Sequence, residues 1–154
     1  MDPVAERFAH LAERFVAHVD DSPLTGPAWL EATATALTRL VAAAVDLPDL
    51  EPTPESHDHI QKPPSRRARI AAALDGDDLY WTVLDQGTFA DEAALGAGNL
   101  VDDVVEVCDD LEKALHLWRA GDRIDAIWEW RFGYRTHWGP HAHAALVVML
   151  DRLR

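Results

Sequence analysis

The chain has 154 residues, a net charge of −13, 27% charged residues and one cysteine. A single domain of this length buries roughly 70% of the surface its unfolded form exposes, and the lone Cys108 excludes an internal disulfide. The acidic balance repels nucleic-acid phosphates, and no apolar run approaches the roughly 20 residues of a membrane span, so neither partner is expected.

Asp2-Pro3 is a helix start, a capping carboxylate followed by proline at the first helical position. Val4, Phe8, Leu11, Phe15 and Val19 then recur on one stripe, which predicts an amphipathic helix to about His18. Thr25-Gly26-Pro27 opens a second helix, carried by Leu30, Thr33, Leu37, Leu40, Val41 and Ala44 and ending before Pro48. Residues 46–64 hold five of the nine prolines and no apolar period, so they are read as a loop. His57 and His59 lie in it, without a third metal ligand close by. Ser65 to Leu74 is a short helix whose first turn is basic, against the helix dipole, so its arginines should pair with acids elsewhere.

Leu79 to Leu84 has strand propensity, but a lone strand has no partner. A short helical or extended segment, plugging the core with Tyr80 and Trp81, is expected instead. Thr88 to Gly98 reads as a loop and Asn99 as the cap of a helix on which Leu100, Val104, Val107, Leu111, Leu115 and Trp118 form a narrow seam. Cys108 lies beside that seam as a small buried hydrophobe. Gly121 stops the helix and turns it into an antiparallel hairpin with the last segment, Asp122 to Arg154.

That last segment is apolar around most of its circumference, leaving only a strip near Ala126, Glu129, Gly133, Ala144 and Asp151 for water. It is therefore expected to be central, and kinked or broken near Pro140. The fold class is all-α, a single-domain antiparallel helical bundle over residues 1–154. Two N-terminal helices occupy 1–45, the proline-rich loop 46–64, and a core half 65–154.

Net charge is uneven: residues 114–154 hold six arginines against four acids, so the preceding part is strongly acidic. Six acids fall between Asp102 and Glu112. Asp103 and Asp110 sit on the shoulder of the apolar seam with Glu106 between them, while Asp102, Asp109 and Glu112 are placed pointing away. One reading pairs these acids with Arg131 and Arg135 across the helix boundary. A second makes His137 and His141, one turn apart, metal ligands completed by Asp103, Glu106 or Asp110. A third forms a stacking pocket from Trp130, Tyr134 and Trp138 with Arg131 and Arg135. No nucleophile elbow or phosphate loop is present, and no catalytic residue is assigned.

Tyr80-Trp81, Asn99-Leu100-x-Asp102-Asp103-Val104, Trp128-Glu129-Trp130-Arg131-Phe132 and His137-Trp138-Gly139-x-His141 together resemble a bacterial family of helical proteins described only as a domain of unknown function. The likeness is closest from about Tyr80 to Leu150. It implies a shared fold and supplies no reaction. The functional expectation is a non-catalytic intracellular, cytoplasmic binding or regulatory module that meets a protein partner through an acidic face or an aromatic groove beside His137. It needs no cofactor. The alternative is a divalent-metal or small-ligand protein, including an enzyme, built on His137, His141 and an acid of the preceding helix.

Overall fold

The computed structural model describes residues 2–53, 65–83 and 94–154. Its elements are helices α1 (Pro3–Asp21), α2 (Gly26–Val45) and α3 (Arg66–Ala73), strands β1 (Leu79–Val83) and β2 (Leu95–Asn99), and helices α4 (Leu100–Ala120), α5 (Arg123–Thr136) and α6 (Trp138–Arg152). The predominantly helical single-domain bundle is the expected class. His57 and His59 lie outside the described residues.

The helix ends follow local chemistry. Asp2 accepts the Val4 amide at 2.9 Å ahead of Pro3. Asn99 accepts the Asp102 amide at 3.1 Å, and Gly121 closes α4 in the left-handed region at φ 102°. The break between α5 and α6 falls at His137, three residues ahead of Pro140, which the first turn of α6 accommodates because its missing amide would be unpaired there.

The centre of the bundle is α4, which packs on α1, α3, α5 and α6. Val101, Val104, Val107, Cys108, Leu111, Ala114 and Leu115 are all buried on it, a wider face than the narrow seam expected. The α5–α6 rod covers one flank of α4 and is not wrapped on all sides. Its inward line is Ala126, Ile127, Trp130, Gly133, Trp138, Ala142, Ala145 and Met149, whereas Ile124, Phe132, Val147 and Leu150 are exposed. Ala126 and Gly133, placed near water from the sequence, are inside. Gly133 must be small, since a Cβ there would stand 2.7 Å from Cδ1 of Trp138. Phe8 joins the rod to α1, its ring 5.0 Å from Trp130 and 6.1 Å from Trp138.

The segment at 79–83 corrects the sequence expectation. It is a strand, and its partner is Leu95–Asn99, antiparallel, with Tyr80 opposite Gly98 and Thr82 opposite Gly96. Tyr80 turns inward, while Trp81 is 80% exposed and plugs nothing. Leu79, Trp81 and Val83 instead form an apolar outer face with Leu95 and Ala97.

A second correction concerns the buried charge. Arg131 meets Asp49 at 3.2 Å and the Leu47 carbonyl, and Arg135 reaches only the far side of Asp49 at 4.0 Å. Neither touches the acids of α4. The buried cation is Arg66 of α3, 1% exposed, which donates from Nε and Nη2 to both oxygens of Asp20 (2.8 and 2.7 Å), from Nη1 to Asp109 (2.9 Å) and from Nη2 to Glu112 (3.2 Å). Asp109 and Glu112 thus face inward to α3 and do not point away. Burial works against the Arg66 charge, but the Asp20 bond and the surrounding negative charge outweigh it and raise its pKa. The fixed cation explains why a basic first turn is tolerated on α3. The buried Cys108 thiol beside it is pushed well up from its ordinary pKa by burial, which removes it as a nucleophile.

Candidate functional site

Two features meet where β1, α4 and the α5–α6 break converge. The first is a chain of polar side chains on one face of α4. Asp103, Glu106 and Asp110 are three and four residues apart, so a helix aligns them. The break at His137 places two imidazoles opposite. His137 Nδ1 lies 2.8 Å from Asp110 Oδ2, and His141 Nδ1 lies 2.8 Å from Asp103 Oδ1. Because a carboxylate oxygen accepts, each Nδ1 donates, and Nε2 is left as the outward nitrogen of each ring. His137 Nε2 is 3.9 Å from Glu106 Oε2, and the two rings meet edge to face with centroids 5.2 Å apart.

Asp103 is buried, and its second oxygen accepts the Tyr80 hydroxyl at 2.6 Å. Burial first, and then that bond, raise the Tyr80 pKa, so the phenol stays protonated. Tyr80 reaches Asp103 only because residue 98 is glycine: a Cβ there would stand 2.3 Å from Cζ of the ring. The alternating Gly96 and Gly98 opposite Thr82 and Tyr80 were the signal in the sequence for this strand pairing.

All five metal candidates from the sequence, His137, His141, Asp103, Glu106 and Asp110, therefore come together. Among the described residues, however, no three His, Cys, Asp or Glu side chains are grouped so that they could hold a metal ion. The run of acids on α4 is also not an open acidic face. Asp102 pairs with Arg67, Asp103 with His141 and Tyr80, Asp110 with His137, and Asp109 and Glu112 with Arg66.

The stacking-pocket residues do not line one cavity. Trp130 and Trp138 are fully buried, their indole N–H groups donating to the carbonyls of Leu111 (3.3 Å) and Trp130 (2.9 Å). They are core, and Arg131 and Arg135 engage Asp49, with no part in a shared pocket. Tyr134 does line a cavity, and this is the second feature. A groove of about 750 Å³ runs between β1 and α6, with Tyr80, Trp81 and Val83 on one wall and Tyr134, Pro140, Ala144 and Val147 on the other. Sequence reasoning assigned Trp81 to the core and did not single out Val147, because both belong to segments whose outward faces are as apolar as their inward ones.

No helix among the described residues is long and apolar enough to cross a membrane. Comparison with known proteins agrees with this architecture. No curated protein matches the chain. Among solved structures, the crystal structure of protein BF1032 from Bacteroides fragilis, a target of the Northeast Structural Genomics Consortium, superposes with a TM-score of 0.83 over 99% of this chain and 97% of that one, at 17% identity. At that identity the likeness is one of fold. The family described as a domain of unknown function, DUF5063, matches residues 1–152, from the first helix through the α5–α6 rod, and the chain belongs to that family.

Proposed function

We propose that the protein is a non-catalytic binding module that holds a protein partner in the groove between β1 and α6, beside the His137–His141 cluster. The observation that carries this reading is the gathering of apolar surface there in so charged a chain. Trp81 is 80% and Val147 70% exposed, and both line the groove with Val83, while Leu79 and Leu95 extend the exposed face of the strand pair outside it. Solitary exposed apolar residues are ordinary, but a contiguous set lining a concavity of this size is the usual mark of an interaction site. Most acids of α4 are already engaged within the chain, so the groove, and not an acidic face, is the working surface.

The test is recovery of partners by the full chain from the host's soluble extract. Wild type is compared with Val147→Asp and Trp81→Ala, whose folding is checked by thermal melts, and with Arg135→Ala on another surface. The expected result is a protein retained by wild type and Arg135→Ala and lost from both groove variants. A bound set identical for all four would overturn the reading.

A second reading, binding of a divalent metal through His137 and His141 alone, is favoured by one observation. Each Nδ1 is held by a carboxylate, the arrangement that orients metal-ligating histidines with Nε2 outward. Metal analysis of untagged protein separates the readings: stoichiometric zinc or manganese, lost in the His137→Ala, His141→Ala double variant, would establish the second.

A further inference from the structure

We infer that the segment held in the groove is an extended peptide, added as a third strand to the outer edge of β1, with apolar residues at alternate positions and a cation at one end. This rests on the reading of the groove as the binding surface and names the chemistry of its occupant.

The argument starts from the strand register. In an antiparallel ladder, the N–H and C=O of one residue point to the same side, and successive residues alternate. The Leu100 amide donates to the Asp78 carbonyl at 2.7 Å, continuing the register in which Tyr80 faces Gly98 and Thr82 faces Gly96. Residues 78, 80 and 82 therefore direct their backbone groups at β2. Leu79, Trp81 and Val83 direct theirs the other way, toward α6.

The position of Arg152 agrees with this parity. From the end of α6 its Nη2 donates to the Leu79 carbonyl at 3.2 Å, and the same guanidinium holds Asp77. Beyond Leu79, the outward N–H and C=O of Trp81 and Val83 have no hydrogen-bond partner among the described residues.

These unpaired groups look into the groove, whose far wall is built from Gly139, Pro140, Ala144 and Val147. An extended chain satisfies both features at once. Its backbone supplies the missing donors and acceptors, and its alternate side chains reach the apolar walls. A helix has its backbone groups already paired and would leave those of Trp81 and Val83 unsatisfied. Asp75 stands exposed just before β1 in a chain of net charge −13, and Asp77, although held by Arg152, is still 74% exposed, so a lysine or arginine at the corresponding end of the peptide is the complementary charge.

The experiment is selection of a displayed library of random 12-residue peptides on the full chain. Enriched sequences are then synthesised and their binding measured by fluorescence anisotropy. Enrichment of apolar residues at every second position with a basic end is expected. N-methylation of one alternating set of peptide amides should weaken binding about ten-fold, and of the other set little. On the protein side, Val83→Pro removes an outward N–H without touching the ladder to β2, and should bind about ten-fold more weakly than Val83→Ala.

If Val83→Pro does not fold, the two N-methylated peptide sets still decide. Enriched peptides with apolar residues at helical spacing, or indifferent to N-methylation, overturn the strand while leaving the groove as a binding surface, provided Val147→Asp abolishes their binding. No enrichment, or enrichment indifferent to Val147→Asp, overturns both. Dimerisation of the chain abolished by Val83→Pro would show that a second copy occupies the edge and would likewise overturn the inference.

Discussion

Replacing Arg66 by methionine tests what holds α3 to the bundle. Methionine keeps the stem and removes the guanidinium, leaving three carboxylates facing one another: Asp20, Asp109 and Glu112. Breaking a buried ion pair from one side costs about 3 to 5 kcal/mol, because the remaining charge is stranded. Here the Asp20 and Glu112 side chains are 28% and 29% exposed and can turn to water, while that of Asp109 at 6% cannot. The cost therefore belongs at the lower end, about 3 kcal/mol. For a chain of this length that is a fall in Tm of about 6 to 12 °C. Urea unfolding followed by circular dichroism measures the free energy directly. The deficit should persist in 1 M salt, since a desolvated cluster is poorly screened. Adding Asp109→Asn to Arg66→Met should recover at least about 1 kcal/mol, as one of three like charges brought together is neutralised. An Arg66→Met variant within 1 kcal/mol of wild type would refute the account, as would a double variant less stable than the single one.

Three further outcomes follow from the structure. Arg131→Ala should cost about 1 to 2 kcal/mol: the pair with Asp49, 73% exposed, adds little, and the lost bond to the Leu47 carbonyl supplies most of it, so a loss above about 4 kcal/mol in the same urea assay would contradict the assignment. Gly139→Ala should be among the worst single substitutions at the break. Its Cβ would stand 1.8 Å from the Tyr134 carbonyl oxygen, so a loss of about 3 kcal/mol or more is expected, and a wild-type melt would show that the junction yields freely.

The third concerns His18. It donates from Nε2 to Thr33 Oγ1 at 2.9 Å, since the Thr33 hydroxyl proton goes to the Trp29 carbonyl, and burial lowers its pKa below 6.5. The folded state then binds this proton less readily than the unfolded state. Stability should fall as pH drops from 6.5 through the lowered value and level off below it. A His18→Gln variant should lose that part of the dependence, and an unchanged pH profile of the melts would refute it.

The helices were legible because their signals are local. Asp2, Asn99 and Gly121 act within one turn, and the apolar spacing of α1, α2 and α4 needs no knowledge of the rest. The strand pair was not, because β2 reads Leu-Gly-Ala-Gly-Asn and has little strand propensity. Its one cue was the alternation of Gly96 and Gly98, and Gly98 gains its meaning only from the Tyr80 ring across the ladder. The convergence of His137 and His141 with Asp103, Glu106 and Asp110 was readable, since helical spacing aligned each set and the short turn at Gly121 forced them together. Which arginine would be buried was not. Arg66 and Arg131 look equally suited, and the choice is made by where α3 docks, which no apolar period in the sequence ahead of it foretells. The centrality of α4 was hidden because Asp109 and Glu112 were placed pointing away, whereas both turn inward to Arg66 and widen the face that packs.

Tyr80 belongs at once to the groove wall and to the hydrogen bond that orients Asp103, which in turn holds His141. A guest pressing on the ring would shift the phenol relative to its acceptor, and the disturbance would arrive at an imidazole on a different helix. The molecule thus contains its own reporter. The ring proton resonances of His141, followed during a titration, register what happens at β1 without any label being attached there.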